Sequence, residues 1–286
     1  MTIERVVVAG AGFMGHGVAQ VHAAAGRRVT LYEPELARAA AGRDRIAANL
    51  DRAVAKGRLE AAGRDGILAR IDVADDLGVV ADADLVIEAV FEDVGVKTAL
   101  WAEIDRLAPP PTIFATNTSS ISIDLLAEAV SPDRRARFVG MHFFSPVPVM
   151  PLVELIRGSA TSDETADAIR ALSVELGKQV IVSADRPGFI VNRILMPFLV
   201  EAMRAYEQGV GTAEDIDTGA KVGLNHPMGP LELADFIGLD VCLGVMEVLF
   251  EAYADERFRP PAVLEGLVAE GKLGQKTGAG FYTYPR

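Results

Sequence analysis

Six short β-branched runs alternate with alanine-rich helical stretches between Ile3 and about Ala184: IERVVVAG, RRVTLYE, DADLVIEAV, PTIFATN, ARFVGMHFF and KQVIVSA. Strands separated by helix-length segments join a largely parallel sheet, and the intervening helices must cover both of its faces. Thr161, followed three residues later by Glu164, gives one of these helices the pattern of a capping box. Beyond Asp185-Arg186-Pro187-Gly188 the strand pattern stops, and long amphipathic segments follow, among them FIVNRILMPFLVEAMRAYEQG and DVCLGVMEVLFEAYA. The Pro-Gly pair marks a boundary. Two domains are therefore expected, an α/β domain over residues 1–186 and an all-helical one over 187–286. A chain of 286 residues is long enough for both.

The first βα turn narrows the α/β class. Gly10, Gly12 and Gly15 form G-x-G-x-x-G directly after the run VVVA and directly before a helix through Met14 to Ala25. Glycines at these places permit a tight turn, close approach of the backbone to a pyrophosphate and packing of helix on strand. The helix N-terminus, with Phe13 and Met14 leading into it, supplies donors for phosphate oxygens. Glu33 ends the next strand, 18 residues after Gly15, where an acidic ligand to a ribose 2′-hydroxyl belongs. Its charge favours NAD over NADP. The fold expected is a Rossmann-type doubly wound, mainly parallel sheet followed by a helical domain. Arg27 and Arg28 precede the second strand and suit a helix end better than a phosphate.

Composition excludes other classes. A formal charge of −12 argues against a nucleic-acid partner and against anionic membranes. The single cysteine, Cys242, rules out an internal disulfide and a multi-thiolate metal site, and no metal is expected. No window approaches 18 uninterrupted apolar residues, and no charged leader precedes the first strand, so a cytoplasmic location is expected.

Of four histidines, His16 and His22 fall on the first helix, where surface or packing roles suffice, and His226 falls in the turn NHPMGP. His142 closes the run RFVGMHF, at the carboxyl edge where open α/β sheets bind ligands. Glu154 follows 12 residues later within LVELI. A carboxylate beside an imidazole fixes its tautomer and steadies the imidazolium, as a general base requires. Spacing alone equally permits a structural histidine and a surface glutamate.

Seven strings, GAGFMGHGVAQ, LVIEAV, TNTSSISI, GMHFFSPVPVMPLVELI, PGFIVNRIL, HPMGPLELADFIGLD and KTGAGFY, occur in an order that resembles the L-3-hydroxyacyl-CoA dehydrogenase family, its 3-hydroxybutyryl-CoA branch especially. The resemblance spans nearly the whole chain. It implies that His142 is the base, that Glu154 orients it, and that Ser119 and Asn192 hydrogen-bond the substrate's 3-oxygen. It also implies that Glu92, Lys97, Ser119 and Lys276 lie on the cofactor side, and that the helical domain forms a homodimer. Read without it, Ser119 could be a helix N-cap, Asn192 a helix-surface amide and Lys276 a solvated lysine.

Residues 43–58 hold Arg43, Arg45, Arg52, Lys56 and Arg58 against Asp44 and Asp51. Arg45, Asn49, Arg52 and Lys56 share one helical face beside Ile46, Leu50 and Ala53. This is an ordinary solvated face or a grip for phosphates. In the family the positions of Asn49 and Lys56 touch CoA, although serine is common at the first. Two further departures bear on the acyl end: Ser145 stands where H-F-F-N-P has asparagine, and Pro151 stands where lysine is common. The resemblance thus implies NAD-dependent oxidation of a short (S)-3-hydroxyacyl-CoA, or the reverse reduction. Alternatives are the same chemistry on an acyl-carrier-protein thioester or free hydroxy acid, and a non-catalytic NAD-binding protein of the lens-crystallin kind.

Overall fold

The computed structural model describes residues 2–285, and the chain divides into two compact units at the Arg186–Pro187 bond. The first contains strands β1 (Arg5–Ala9), β2 (Arg28–Tyr32), β3 (Ile71–Ala74), β4 (Leu85–Glu88), β5 (Ile113–Thr116), β6 (Phe138–Phe143), β7 (Leu152–Arg157) and β8 (Gln179–Ala184). They form one sheet in the order β3-β2-β1-β4-β5-β6-β7-β8, parallel at every step except β6 to β7. Chain order reverses beside β1, which creates a crevice at the carboxyl ends of β1 and β4. The helices of this unit are α1 (Gly15–Ala24), α2 (Leu36–Ala55), α3 (Ala61–Leu68), α4 (Val94–Leu107), α5 (Ile123–Ala127) and α6 (Asp163–Glu175).

The central strands are buried along their whole length, as β4, β5 and β6 show, because helices cover both faces. Val8, Leu31, Ile87 and Val139 from the sheet pack with Val18, Ile46 and Ile169 from α1, α2 and α6 in one core. Two strands escape the alternation pattern. The four residues of β3 pair only with β2 at the sheet's edge. β7 follows β6 by a connection over residues 144–151, too short for the crossover that a parallel return requires, so it runs antiparallel.

One cap is corrected. Ser162, not Thr161, begins α6: its hydroxyl accepts the Thr165 amide at 3.2 Å, whereas the Thr161 hydroxyl donates to the Phe138 carbonyl at 2.7 Å. Burial of Thr161 against β6 removes it from the helix end.

The second unit is helical, with α7 (Val191–Glu207), α8 (Ala213–Thr218), α9 (Pro230–Ile237), α10 (Leu239–Tyr253) and α11 (Ala262–Ala269) around Leu199, Met203, Leu231, Met246, Leu249 and Leu264. Two buried carboxylates tie it together. Asp217 accepts the Leu231 and Glu232 amides and the Tyr282 hydroxyl, at 2.8, 2.9 and 2.8 Å. Asp235 accepts the Phe281 and Tyr282 amides and the Tyr284 hydroxyl, at 3.0, 2.9 and 3.0 Å. Burial raises the Asp235 carboxyl despite these donors. A Cβ on Gly229 or Gly280 would lie 2.2 or 2.0 Å from those carboxylate side chains, which explains the glycines of HPMGP and GAGFY.

Candidate active site

The glycine turn meets the demands of a nucleotide loop. Gly10 has φ +105°, and a Cβ there would come within 2.5 Å of the Ala89 carbonyl oxygen. On Gly15 a Cβ would strike the Gly10 carbonyl oxygen at 1.7 Å. Folding therefore requires both. At Gly12 a Cβ would meet nothing within 4 Å beyond its chain neighbours, so packing does not demand that glycine, and the open space there is compatible with close approach of a pyrophosphate to the backbone. Met14 stands at the N-cap of α1 without a side-chain cap, and of the first-turn amides that of His16 donates to the Gly12 carbonyl at 3.2 Å; Phe13 beside it is exposed. Glu33, just past β2, accepts the Ala11 amide at 2.7 Å. Its carboxylate is thus fixed against the turn. These features fit a dinucleotide.

Antiparallel β7 brings His142 and Glu154 together. His142 and Glu154 are direct register partners across β6 and β7, and His142 Nδ1 lies 2.8 Å from Glu154 Oε2. Glu154 is fully buried and His142 nearly so, with its ring centroid 4.5 Å from that of Phe144. A carboxylate is acceptor-only, so Nδ1 carries the proton in the neutral ring and the lone pair sits on Nε2. The arrangement is that of an oriented general base. The Asn117 amide oxygen accepts the Phe143 amide at 2.8 Å and ties the end of β5 to the end of β6. After Phe144 the chain turns through a cis Ser145–Pro146 peptide. Lys178, mostly buried, donates to the Val147 and Met150 carbonyls at 2.6 and 2.8 Å, and burial lowers its ammonium.

Ser119 belongs to a loop after β5 that converges on one carboxylate oxygen. Glu92 Oε1 accepts the Thr118 hydroxyl at 2.6 Å, the Ser119 amide at 2.9 Å and the Ser120 amide at 3.2 Å, with the Ser119 hydroxyl at 3.3 Å. Its other oxygen lies 3.1 Å from Lys97 Nζ. Burial by itself would push the Glu92 carboxyl up, but the Lys97 charge and the Thr118 and Ser119 hydrogen bonds outweigh it, and the group lies below its usual range. The N-cap of α5 is Ser122, whose hydroxyl accepts the Leu125 amide, so Ser119 does not cap that helix.

Lys97 sits differently from an exposed cofactor ligand. It is 1% exposed, and its ammonium lies 2.5 Å from Glu88 Oε1. Glu88, at the end of β4, did not stand out in the sequence, nor did Asn117 or Thr118. The available signal was a lone acid closing the otherwise apolar run LVIE, and the polar string TNT preceding Ser119.

Residues 5–186 match the model of the 3-hydroxyacyl-CoA dehydrogenase NAD binding domain, and residues 188–284 match that of the 3-hydroxyacyl-CoA dehydrogenase C-terminal domain. The chain belongs to the 3-hydroxyacyl-CoA dehydrogenase family. A family relative, the 3-hydroxybutyryl-CoA dehydrogenase of Bradyrhizobium diazoefficiens, is 49% identical over 282 residues, which span 99% of this chain and 96% of that one. Among solved structures, the (S)-3-hydroxybutyryl-CoA dehydrogenase PaaH1 of Ralstonia eutropha superposes with a TM-score of 0.94 at 46% identity and full coverage of both chains. FadB2 of Mycobacterium tuberculosis gives 0.97 at 44%, again with full coverage of both.

The basic face that the family resemblance connects with CoA lies on α2 and is partly engaged. Arg43 turns inward to the Ile71 and Leu68 carbonyls, and Arg45 donates to the Ala11 carbonyl at 3.2 Å. Asn49 donates to Gln20 Oε1 at 3.3 Å and accepts from Arg52, while Lys56 is exposed at the helix's C-terminal end. In the C-terminal unit, Asn192 is the second residue of α7, and Lys276 is held by Asp240 at 2.5 and 2.6 Å.

Proposed function

We propose that this member of the family is an NAD-dependent (S)-3-hydroxyacyl-CoA dehydrogenase for a short acyl group such as 3-hydroxybutyryl, working in either direction. The observation that carries the reading is the cross-strand His142–Glu154 pair at the carboxyl edge of the sheet that also carries the glycine turn. The chemistry that NAD supplies when bound is acceptance of a hydride from the substrate's C3. Gly10, Gly12, Phe13, Met14 and Gly15 with Glu33 would hold the dinucleotide, and Glu92, Lys97 and Ser119 would border it. His142 Nε2 takes the 3-hydroxyl proton as the alcohol becomes a carbonyl, and returns it in the reverse direction. Glu154 keeps the proton on Nδ1 and stabilises the imidazolium. The Ser119 hydroxyl hydrogen-bonds the 3-oxygen without contributing charge. For Asn192, as a second donor to that oxygen, and for Lys276 the support is the sequence resemblance alone.

Oxidation of NADH by acetoacetyl-CoA, followed through the nicotinamide absorbance, tests the reading. Turnover restricted to the carrier-protein thioester or to free acetoacetate would move the substrate, and binding without turnover would leave only a nucleotide-binding protein. Exposed Ile194, Val210, Val222 and Leu224 on the C-terminal unit support a homodimer through it. A mass near that of one chain in light scattering would refute that. The single thiol and the bacterial source of the Bradyrhizobium relative support a cytoplasmic location.

Two variants probe the binding faces. Glu33→Gln retains an acceptor for the Ala11 amide but loses the charge opposing a 2′-phosphate, so the preference for NADH over NADPH should narrow by about tenfold in kcat/KM. An unchanged ratio would remove Glu33 from cofactor choice. Reversing Arg52 and Lys56 to Glu should raise KM for a CoA thioester severalfold, more so at low salt, and leave KM for NADH unaltered. Untouched thioester kinetics would make α2 only a solvated face, and a loss confined to carrier-protein substrates would point to that carrier.

A further inference from the structure

Glu88 has no part in the chemistry above, yet it is fully buried, and its contact with Lys97 leads on to the carboxylate that holds the Ser119 loop. Its Oε1 accepts the Val90 amide at 2.9 Å as well as the Lys97 ammonium, and its Oε2 accepts the Thr116 hydroxyl at 2.7 Å. The carboxylate is therefore fixed to β5 and to the turn after β4 through neutral donors, and its charge is directed at Lys97. That ammonium lies between two anions of unlike freedom: Glu88 is buried and anchored, while the Glu92 side chain is 36% exposed. Glu92 alone could draw the lysine outward toward water, because a buried cation is stable only where its counter-ion holds it. Glu88 supplies the inner pull. Lys97 in turn retains Glu92, on whose single oxygen the Thr118 hydroxyl and the Ser119 and Ser120 amides converge.

We infer that Glu88 is a positioning residue: acting through Lys97 and Glu92, it sets where the 118–120 loop lies and how the Ser119 hydroxyl is aimed. Its effect on turnover rests on the proposed contact of Ser119 with the substrate oxygen; its hold on the loop does not. Replacing a buried carboxylate by its isosteric amide removes the charge and keeps the shape, so a change at Ser119 reports the charge relay rather than a packing defect.

Glu88→Gln in the full-length protein tests this by amide hydrogen exchange and by kinetics. Exchange at Ser119 and Ser120 should rise about tenfold while the amides of β6 exchange as in the wild type. The kcat for acetoacetyl-CoA, per molecule able to bind NADH, should fall about tenfold, and this fall should vanish in the Ser119→Ala background because the two changes act through one group. Wild-type protection at Ser119 and Ser120 would overturn the inference, as would a kcat loss that simply adds to that of Ser119→Ala. Absence of thioester turnover in the wild type would sink the proposed function instead, and exchange would still decide whether Glu88 holds the loop. Should Glu88→Gln fail to fold, Glu88→Asp, which keeps the charge but shortens its reach, should raise exchange at the same two amides by a smaller factor; no rise there would overturn the inference.

Discussion

Replacing His142 with glutamine is expected to lower kcat by about 10² to 10⁴-fold, the usual range for loss of a general acid or base, with the Kd for NADH nearly unchanged. The geometry makes the effect specific to the chemical step. His142 holds its Nδ1 2.8 Å from a fully buried carboxylate, and in the proposed role its Nε2 exchanges the substrate proton. Glutamine fills similar space and can still hydrogen-bond, but it does not titrate. Glu154→Gln should cost less turnover than His142→Gln, because the imidazole survives and only its tautomer and the stabilisation of its cationic form are weakened. Steady-state kinetics with acetoacetyl-CoA, alongside NADH fluorescence titration of each variant, checks both. Turnover near the wild-type rate in His142→Gln would mean that the base is another residue; a parallel collapse of NADH binding would mean that the histidine supports the fold.

That pair illustrates what the sequence makes legible and what it leaves hidden. The nucleotide turn is readable because its glycines answer local demands: Gly10 has a positive φ, and Gly15 lies too close to backbone for any Cβ. The histidine and glutamate lie 12 residues apart, a spacing that carries no geometry until the direction of β7 is known. A clue is present. The connection over residues 144–151 is too short to cross the sheet and return parallel, so an apolar run following it has to pair antiparallel, and register then makes His142 and Glu154 neighbours. β3 stays hidden because IDVA is short and places an acid in its centre. That Glu88, Lys97 and Glu92 join in one chain cannot be read from spacing, since burial brings an α4 ammonium against the end of β4. Thr161 mimics a cap because the capping-box pattern constrains position only to within a residue.

The other large expected effect concerns stability and arises from His22, a residue that the sequence places on α1 and leaves to packing. Its ring is fully buried, 6.5 Å from Phe143 between centroids, and neither ring nitrogen has a hydrogen-bond partner among the described residues. Burial, helped by the like charge of Arg27, pushes its pKa down to about 3, whereas an unfolded-state histidine titrates near about 6.5. A lowered folded-state pKa means that the unfolded chain takes up the proton first. The contribution is therefore fully present above about pH 6.5 and is lost progressively as pH falls toward about 3. At about pH 5 the loss amounts to about 2 kcal/mol, and it exceeds this at lower pH. His22→Leu removes the titrating group together with two unpartnered nitrogens and suits a helix. The variant should be at least as stable as the wild type at about pH 7.5, and its melting temperature should fall much less on moving to about pH 5. Calorimetry of both proteins at the two pH values decides the matter. Equal falls in melting temperature would assign the acid sensitivity to other groups, and a variant markedly less stable at about pH 7.5 would show that the imidazole contributes packing that leucine cannot replace.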